Sequence, residues 1–266
     1  MRVYLNGGLV DSAQVSVFDE GLLYGYGVYE TLRVYRGVAF RRTEHVRRLC
    51  ESARQIGMAC PDEKALFSAI QKTIAGNHLS DAALRIILTA GAQSEWGNAP
   101  QSLIVMAKAA GTPQTEFSAI NVPYHRNVAQ AKTLNCLTAV VARNAAKKAG
   151  ANEALYTKDA NVLEGTTCNV FAVVGRELLT PNEGVLSGIT AGIVMKLAKK
   201  QGLSVRQEAL PLDRLLSADE AFITSTLKQI VPLTKVDGKN IPTGPVTRKL
   251  QSAFLEYVEH EISGQK

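Results

Sequence analysis

The stretch AKTLNCLTAVVARNAAKKAGANEALYTKDANVLEGTTCNVFAVV, residues 131–174, decides how this chain is interpreted. Near its start is a lysine, Lys132, set among small and apolar residues. A glutamate, Glu164, follows later and comes just before the strand-like run 169–174. Either residue alone is typical of a solvated surface, because Lys and Glu are rarely fully buried without a partner. Together, in these settings, they indicate a site with two opposite charges.

The chemistry of the two residues predicts a cofactor. A lysine removed from water loses part of its preference for the charged form, so a free amine becomes available. A free amine attacks a carbonyl and forms a Schiff base. A carboxylate that keeps a pyridine nitrogen protonated lets the ring withdraw electrons, and this combination suits pyridoxal 5′-phosphate. Lys132 and Glu164 therefore predict a site for that cofactor.

The order of AKTLN, EALY and LEGTTCNVF resembles the class IV family of pyridoxal-phosphate-dependent enzymes, which have fold type IV. The family includes branched-chain aminotransferases, D-amino-acid aminotransferases and aminodeoxychorismate lyases, and the resemblance covers nearly the whole chain. It implies a two-domain α/β (α+β) fold with the cofactor in the interdomain cleft, and a homodimer. It also implies that Lys132 is the catalytic Schiff-base lysine and that Glu164 is the partner of the pyridine nitrogen.

The resemblance assigns further cofactor contacts. They are Arg48, Asn169, Leu186, Gly188, Ile189, Thr190, Ser225 and Thr226. Arg48, in EHVRRL, is expected to hold the phosphate with its forked donors, although the helical pattern alone does not exclude Arg47. Thr190 opens a predicted helix, and helix N-termini bind phosphate through unpaired N–H groups and the helix dipole. Leu186 is expected to pack on the pyridine ring, and His125 and Arg126 to reach its phenolic oxygen.

The predicted substrate contacts are Tyr29, Thr31, Leu227 and Trp96. Thr31 matches a threonine of some aminodeoxychorismate lyases, where branched-chain enzymes usually have glycine and D-amino-acid enzymes valine. The loop 90–100, AGAQSEWGNAP, departs from the family. Relatives usually carry Arg-Gly there, and D-amino-acid enzymes add an Arg and a His that hold the substrate carboxylate. This departure weakens the D-amino-acid interpretation.

The sequence thus predicts an aminotransferase that moves an amino group between an amino acid, of branched-chain or D-amino-acid type, and a 2-oxo acid through a Lys132 Schiff base. One alternative is an aminodeoxychorismate lyase that releases pyruvate and 4-aminobenzoate. Another is a cofactor-free Schiff-base aldolase, which gives no reason for a phosphate-binding helix start at Thr190. A non-catalytic binding module would leave Lys132 and Glu164 solvated.

Composition limits the partners and the compartment. The 266 residues carry a net charge of +6. Only Tyr35 and Phe40 intervene between the basic residues from 33 to 48, and no binding motif accompanies them, so nucleic acid is not expected. No apolar run approaches the roughly 20 residues that span a bilayer, and the first residues lack a signal core. Four cysteines without CxxC spacing argue for a reduced cytoplasm and against a disulfide or zinc site. The histidines have no ligand spacing, so no metal is expected.

The linker-like residues 110–116 divide the predicted chain into a smaller α/β domain, 1–114, and a larger cofactor-binding domain, 115–266. Asn6-Gly7 predicts a turn between the apolar runs 3–5 and 15–18. Thr43 is the expected N-cap of the helix that contains EHVRRL. Apolar periodicity predicts helices at 43–58, 62–76, 135–149, 190–201, 211–217 and 245–262, and strands at 28–35, 83–89, 102–107, 117–123, 153–156, 169–174 and 203–208.

Overall fold

The structure is a computed structural model that describes residues 1–94, 97–111 and 114–264. The chain divides into two compact units. The first comprises Met1–Gly111, Ala131–Cys136 and Glu261–Lys266, and the second comprises Thr112–Gln130 and Leu137–His260. The domain boundary after residue 114 stays a prediction. The two compact units differ from the predicted domains mainly because the segment Ala131–Cys136, which contains Lys132, belongs to the first unit.

The first unit is built on antiparallel strands with two long helices. Its strands are β1 (Val3–Leu5), β2 (Gly8–Val10), β3 (Gly27–Tyr35), β4 (Val38–Ala39), β5 (Ala82–Thr89), β6 (Ala92–Ser94), β7 (Gly97–Ala99) and β8 (Leu103–Ala109), and its helices are α1 (Glu20–Leu23), α2 (Arg42–Gln55) and α3 (Glu63–Gly76). The main sheet has the order β2-β1-β8-β5-β3-β4, and β6 pairs with β7 separately. The predicted loop 90–100 therefore contains a short strand pair.

The Asn6-Gly7 turn is confirmed, but its second strand was wrongly predicted. Both residues have positive φ, 46° and 114°, which is the backbone that a tight hairpin turn requires. The turn joins β1 to β2, at residues 8–10, in an antiparallel pair. Residues 15–18 are not a strand. Their apolar side chains lie mostly on the surface, so periodicity alone misassigned them.

Helices α2 and α3 cover the sheet because each has one apolar stripe. Val46, Leu49 and Ala53 of α2 are buried in one core cluster with Leu66 and Ile70 of α3. Strand side chains from β3, β5 and β8 complete that cluster. The predicted N-cap Thr43 is wrong, since α2 begins one residue earlier and its cap position is Arg41 with φ 53°. In α3 the Asp62 side chain accepts the backbone N–H of Ala65 and caps the helix.

The segment Ala131–Cys136 extends the β3 side of the first unit. Thr133 forms an isolated antiparallel bridge with Val28, and the N–H of Leu134 donates to the carbonyl of Gly27 at 2.8 Å. A Cβ on Gly27 would collide with the Leu134 side chain and with the Leu88 carbonyl. Glycine at position 27 therefore lets this segment approach the sheet closely. This long-range pairing brings Lys132 beside β3.

The second unit contains ten strands and four helices among the described residues. They are β9 (Phe117–Val122), β10 (Glu153–Lys158), β11 (Asn161–Gly165), β12 (Asn169–Val174), β13 (Glu177–Thr180), β14 (Ser204–Gln207), β15 (Leu210–Pro211), β16 (Glu220–Ser225), β17 (Gln229–Val236) and β18 (Lys239–Asn240), with α4 (Leu137–Lys148), α5 (Ile189–Lys200), α6 (Leu212–Leu216) and α7 (Pro245–Ser263). The predicted strands and helices of this part are confirmed within a few residues.

One mixed sheet organises the second unit. Its order is β14-β13-β12-β16-β17-β9-β10-β11-β15, with β18 added beside β17. The pairs β9–β10, β9–β17 and β13–β14 are parallel, and the others are antiparallel. The ends of β11, β12 and β16 carry three predicted cofactor residues, Glu164, Asn169 and Ser225, so this sheet fixes their spacing.

The structure corrects the expectation that the cysteines form no disulfide. Cys50 and Cys60 are joined, with their Cα atoms 5.2 Å apart. Cys50 lies in α2 and Cys60 lies in the connection to α3, where the chain reverses direction and brings the two together. Sequence spacing alone does not reveal such a reversal. Unpaired cysteines therefore no longer support a cytoplasmic location, which stays a prediction.

No described helix is long and apolar enough to cross a membrane. Within residues 1–94, 97–111 and 114–264, no group of three or more His, Cys, Asp and Glu side chains is arranged to hold a metal ion.

Candidate active site

Lys132 is held by its backbone within the first unit. Its N–H donates to the Oγ of the buried Ser52 at 3.0 Å, and its carbonyl accepts the N–H of Tyr29 at 2.9 Å. Its Nζ lies 4.7 Å from the centre of the Tyr29 ring. The side chain is half-buried. The amine is thus presented from a backbone fixed at both polar groups, as a covalent attachment point requires.

Arg85 is a functional candidate that sequence reasoning missed. It pairs with Thr31 across the β3–β5 ladder, so its side chain shares a sheet face with Thr31 and Tyr29. Its guanidinium lies 4.0 Å from the centre of the Tyr29 ring. Two cations therefore lie over one tyrosine, and this electropositive corner suits a carboxylate. The available signal was an arginine in the middle of the apolar run ALRIILT.

A buried charge cluster holds the predicted phosphate arginine. Arg48 donates from Nε and Nη2 to the carboxylate of Glu30 at 2.6 and 2.9 Å, and His45 Nδ1 lies 2.7 Å from the same carboxylate. Burial raises the pKa of Glu30, but Arg48 and His45 outweigh that effect and lower it to about 2. Burial also lowers the pKa of His45. Arg48 is half-buried and Arg47 is exposed. This difference favours Arg48 over Arg47 as the arginine with a fixed orientation that could hold the phosphate.

Glu164 is buried at the end of β11 in the second unit. Its Oε1 accepts from Arg126, with Nε at 2.7 Å, and its Oε2 accepts the N–H of Leu186 at 3.1 Å. Arg126 also donates to the carbonyl of Ala129. Arg126 pairs with this carboxylate, and its expected contact with the phenolic oxygen of the cofactor stays a prediction. His125 is exposed.

The loop before α5 offers backbone donors in the way the resemblance implies. Gly188 is the N-cap of α5, and because glycine has no side chain, no side-chain hydrogen bond caps the start of this helix. A Cβ at Gly188 would collide with the Asn169 side chain, whose amide donates to the carbonyl of Leu186 at 2.9 Å. Ile189 and the buried Thr190 form the first turn. Asn169, Leu186 and Gly188 therefore pack together beside the start of α5, whose first backbone N–H groups have no side-chain cap. Such a helix start fits an anionic group.

The turn after β16 carries hydroxyl groups at one end of the sheet. Ser225 and Gln229 pair across the β16–β17 hairpin, and Thr226, Leu227 and Lys228 form the turn. Next to them, the hydroxyl of Thr224 is buried and has no hydrogen-bond partner among the described residues. The turn therefore combines hydroxyl donors with the exposed apolar side chain of Leu227. These groups fit a phosphorylated, partly apolar cofactor.

The predicted residues thus fall into two sets. Tyr29, Thr31, Arg48 and Lys132 lie together in the first unit, and the other described site residues lie in the second. Trp96, predicted to contact substrate, lies outside the described residues. Glu30, Arg85 and Arg126 were not assigned these contacts from sequence, because each acts through a partner on another strand or loop.

Comparison with known families identifies the chain. The model of the family "Amino-transferase class IV" matches residues 27–236. The "Putative branched-chain-amino-acid aminotransferase" of Methanocaldococcus jannaschii is 38% identical, over 96% of each chain. The D-alanine aminotransferase of Bacillus licheniformis is 34% identical, over 99% of each chain. The chain belongs to the class IV aminotransferase family.

Solved structures agree with the fold. The branched-chain aminotransferase of the archaeon Thermoproteus uzoniensis, solved with norvaline, superposes with a TM-score of 0.91 at 29% identity, over 98% of this chain and 95% of that one. A branched-chain amino acid aminotransferase from T.th., complexed with N-(5′-phosphopyridoxyl)-L-glutamate, superposes with a TM-score of 0.90 at 29% identity. That match covers 98% of this chain and 94% of the other. The predicted α/β fold of the class IV enzymes is thereby confirmed.

Proposed function

We propose that this chain is a pyridoxal-phosphate-dependent aminotransferase in which Lys132 holds the cofactor covalently through its amine. The observation that carries the proposal is the fixed, half-buried Lys132 beside Tyr29, at the position that the family motif assigns to the cofactor lysine. When bound, pyridoxal phosphate withdraws electrons from the substrate Cα. A cofactor-free aldolase gives no role to the uncapped start of α5.

The chain's own residues divide the work. Glu164 would hold the pyridine nitrogen, because a carboxylate accepts a hydrogen bond from a protonated nitrogen, and the N–H of Leu186 fixes the position of its Oε2. Arg126, by pairing with Oε1, keeps that carboxylate oriented. Arg48, the first N–H groups of α5, Ser225 and Thr226 would hold the phosphate. Lys132, once the amino acid has displaced it, would move a proton between the substrate Cα and the cofactor C4′.

The amino acceptor we propose is a dicarboxylic 2-oxo acid. Arg85 and Lys132 place two cations over Tyr29, and Arg85 remains available for a carboxylate once Lys132 carries the cofactor. The T.th. relative was solved with a phosphopyridoxyl-glutamate, and glutamate carries a second carboxylate. For the donor we favour branched-chain amino acids, because loop 90–100 lacks the basic residues that hold a D-amino-acid carboxylate. The likeness to a D-alanine enzyme keeps D-alanine as the competing donor.

We also propose a homodimer. Residues 15–24 of the first unit expose large apolar side chains, namely Val15, Val17, Phe18, Leu22, Leu23 and Tyr24. An apolar group of this kind marks an interaction site, and a second copy of the chain is the occupant that the family resemblance implies. A monomeric mass in solution at micromolar protein would contradict this. A cytoplasmic location is proposed as well, supported by the amino acid and 2-oxo acid substrates.

The test is a donor and acceptor screen with the purified holoenzyme. L-Leucine, L-valine and D-alanine are each offered with 2-oxoglutarate or with pyruvate, and the new amino acid is measured. We expect turnover of the L-branched-chain donors, and a larger loss with 2-oxoglutarate than with pyruvate in Arg85→Met. Pyruvate release from aminodeoxychorismate without transamination would favour the lyase, and wild-type protein that takes up no cofactor would end the proposal.

A further inference from the structure

A second charge pair, between a buried glutamate and a half-buried lysine, lies in the second unit, apart from the residues given a role above. Glu153 at the start of β10 is buried, and its carboxylate accepts from Lys228 Nζ at 3.0 Å. Burial raises the pKa of Glu153, but Lys228 and the hydroxyl of Thr166 outweigh it and lower the pKa. Burial lowers the pKa of Lys228, but the neighbouring Cys168 and Glu153 outweigh that effect and raise the pKa. The Glu153 carboxylate is therefore kept in its charged form, beside the charged ammonium group of Lys228.

Glu153 forms hydrogen bonds with each side chain of the loop 166–168, which lies between the predicted site residues Glu164 and Asn169. Its carboxylate accepts the hydroxyls of Thr166 and Thr167, and the thiol of Cys168 at 3.6 Å. These three residues link Glu164, near the end of β11, to Asn169, which begins β12. One carboxylate thus fixes all three side chains of the short loop.

Lys228 links the Glu153 carboxylate to the turn between β16 and β17. Its backbone N–H donates to Ser225 Oγ at 3.2 Å, and its Nζ donates to Thr167 Oγ1 at 2.5 Å. Its Nζ also lies 5.4 Å from the ring of Phe117, which starts β9. In the sheet, β9 separates β17 from β10, so the side chain reaches across one strand to Glu153.

We propose that Glu153 and Lys228 are positioning residues that join the 166–168 loop to the 225–228 turn and so place Ser225 and Thr226 for the cofactor phosphate. The inference rests on the proposed function, because the phosphate role of those hydroxyls belongs to it. Neither residue needs to touch the cofactor. A buried pair that loses one partner leaves an uncompensated charge, so the turn has to rearrange.

The experiment compares two ligands that differ only in the phosphate. Apoenzyme of Lys228→Met, Glu153→Gln and Thr167→Val is titrated with pyridoxal phosphate and with pyridoxal, and bound cofactor is read from its absorbance. We expect Lys228→Met and Glu153→Gln to weaken pyridoxal phosphate binding about tenfold or more, which is the loss of one or two hydrogen bonds, and to leave pyridoxal binding within about twofold. Thr167→Val, an exposed site that removes one partner of Lys228, should give a smaller loss of the same kind.

Arg206→Met is the matched control, because it breaks an exposed pair with Glu177 in the same unit. It should leave both affinities unchanged. Equal weakening of pyridoxal and pyridoxal phosphate, or no weakening in any of the three variants, would overturn the positioning role. If Lys228→Met does not fold, Thr167→Val decides the result. Wild-type protein that binds neither ligand would instead refute the proposed function.

Discussion

Replacing Glu30 with glutamine removes the centre of the buried cluster that orients Arg48. The carboxylate has no exposure, takes two donors from Arg48 and lies against His45. Glutamine keeps the size of the side chain but cannot compensate the guanidinium charge. Removing one partner of a buried ion pair typically costs about 3–5 kcal/mol.

The lowered pKa of Glu30 expresses the same contacts as a pH-dependent free energy. Lowering the pKa of Glu30 from 4.5 to about 2 corresponds to about 3 kcal/mol of extra folded-state stability at neutral pH. Because the folded pKa lies below the unfolded one, this stabilisation is fully present above pH 4.5 and is lost as the pH falls through about 2. Near pH 3.5, about 2 kcal/mol should remain.

The assay is urea unfolding of the cofactor-free protein, with hydrogen exchange of the β3 amides as a local measure of the first unit. Glu51→Gln is the control, since it breaks an exposed glutamate–arginine pair on the same helix and should change nothing measurable. The pH series compares Glu30→Gln with protein that keeps His45, because His45 is one of the two groups that lower the pKa of Glu30.

A cost below about 1 kcal/mol at neutral pH, or one equal to that of Glu51→Gln, would refute the assignment of Glu30 as the buried anchor of Arg48. A cost that does not shrink between neutral pH and about pH 3.5 would refute the direction of the pKa change.

Three smaller predictions test local features. Asp62→Ala removes the cap of α3 and should lower the free energy of unfolding by about 1 kcal/mol, measured by urea unfolding, whereas an unchanged midpoint would contradict the cap. Denatured, unreduced protein should react with two equivalents of alkylating reagent by mass spectrometry, because Cys50 and Cys60 are joined, and four would contradict the disulfide. In native protein Cys136 should react before Cys168, because burial and then Glu153 raise the pKa of the Cys168 thiol, and the reverse order would contradict this.

The sequence predicted most elements because their local signals agree with their packing. Helix α2 has its apolar stripe at Val46, Leu49 and Ala53, and all three are buried. Strand β12 occupies the predicted run 169–174. The run 15–18 was wrongly predicted as a strand because its apolar side chains are exposed, and apolar content alone cannot separate a core strand from an exposed apolar segment.

The site was predictable where a short motif carries the chemistry, and unpredictable where it depends on pairing across the fold. Lys132 and Glu164 stand in recognisable motifs. The contacts of Arg126 with Glu164, of Lys228 with Glu153 and of Arg48 with Glu30 join residues 18 to 75 positions apart. No local pattern specifies such pairs, because they follow from sheet order and register.

In the proposed function, the amine of Lys132 holds the cofactor covalently. The direct measurement is to add pyridoxal phosphate, reduce the protein with borohydride, and locate the modified residue by peptide mass spectrometry. We expect one phosphopyridoxyl group, on Lys132, and no stoichiometric labelling of Lys132→Ala. Stoichiometric labelling of another lysine, or equal labelling of the variant, would contradict it.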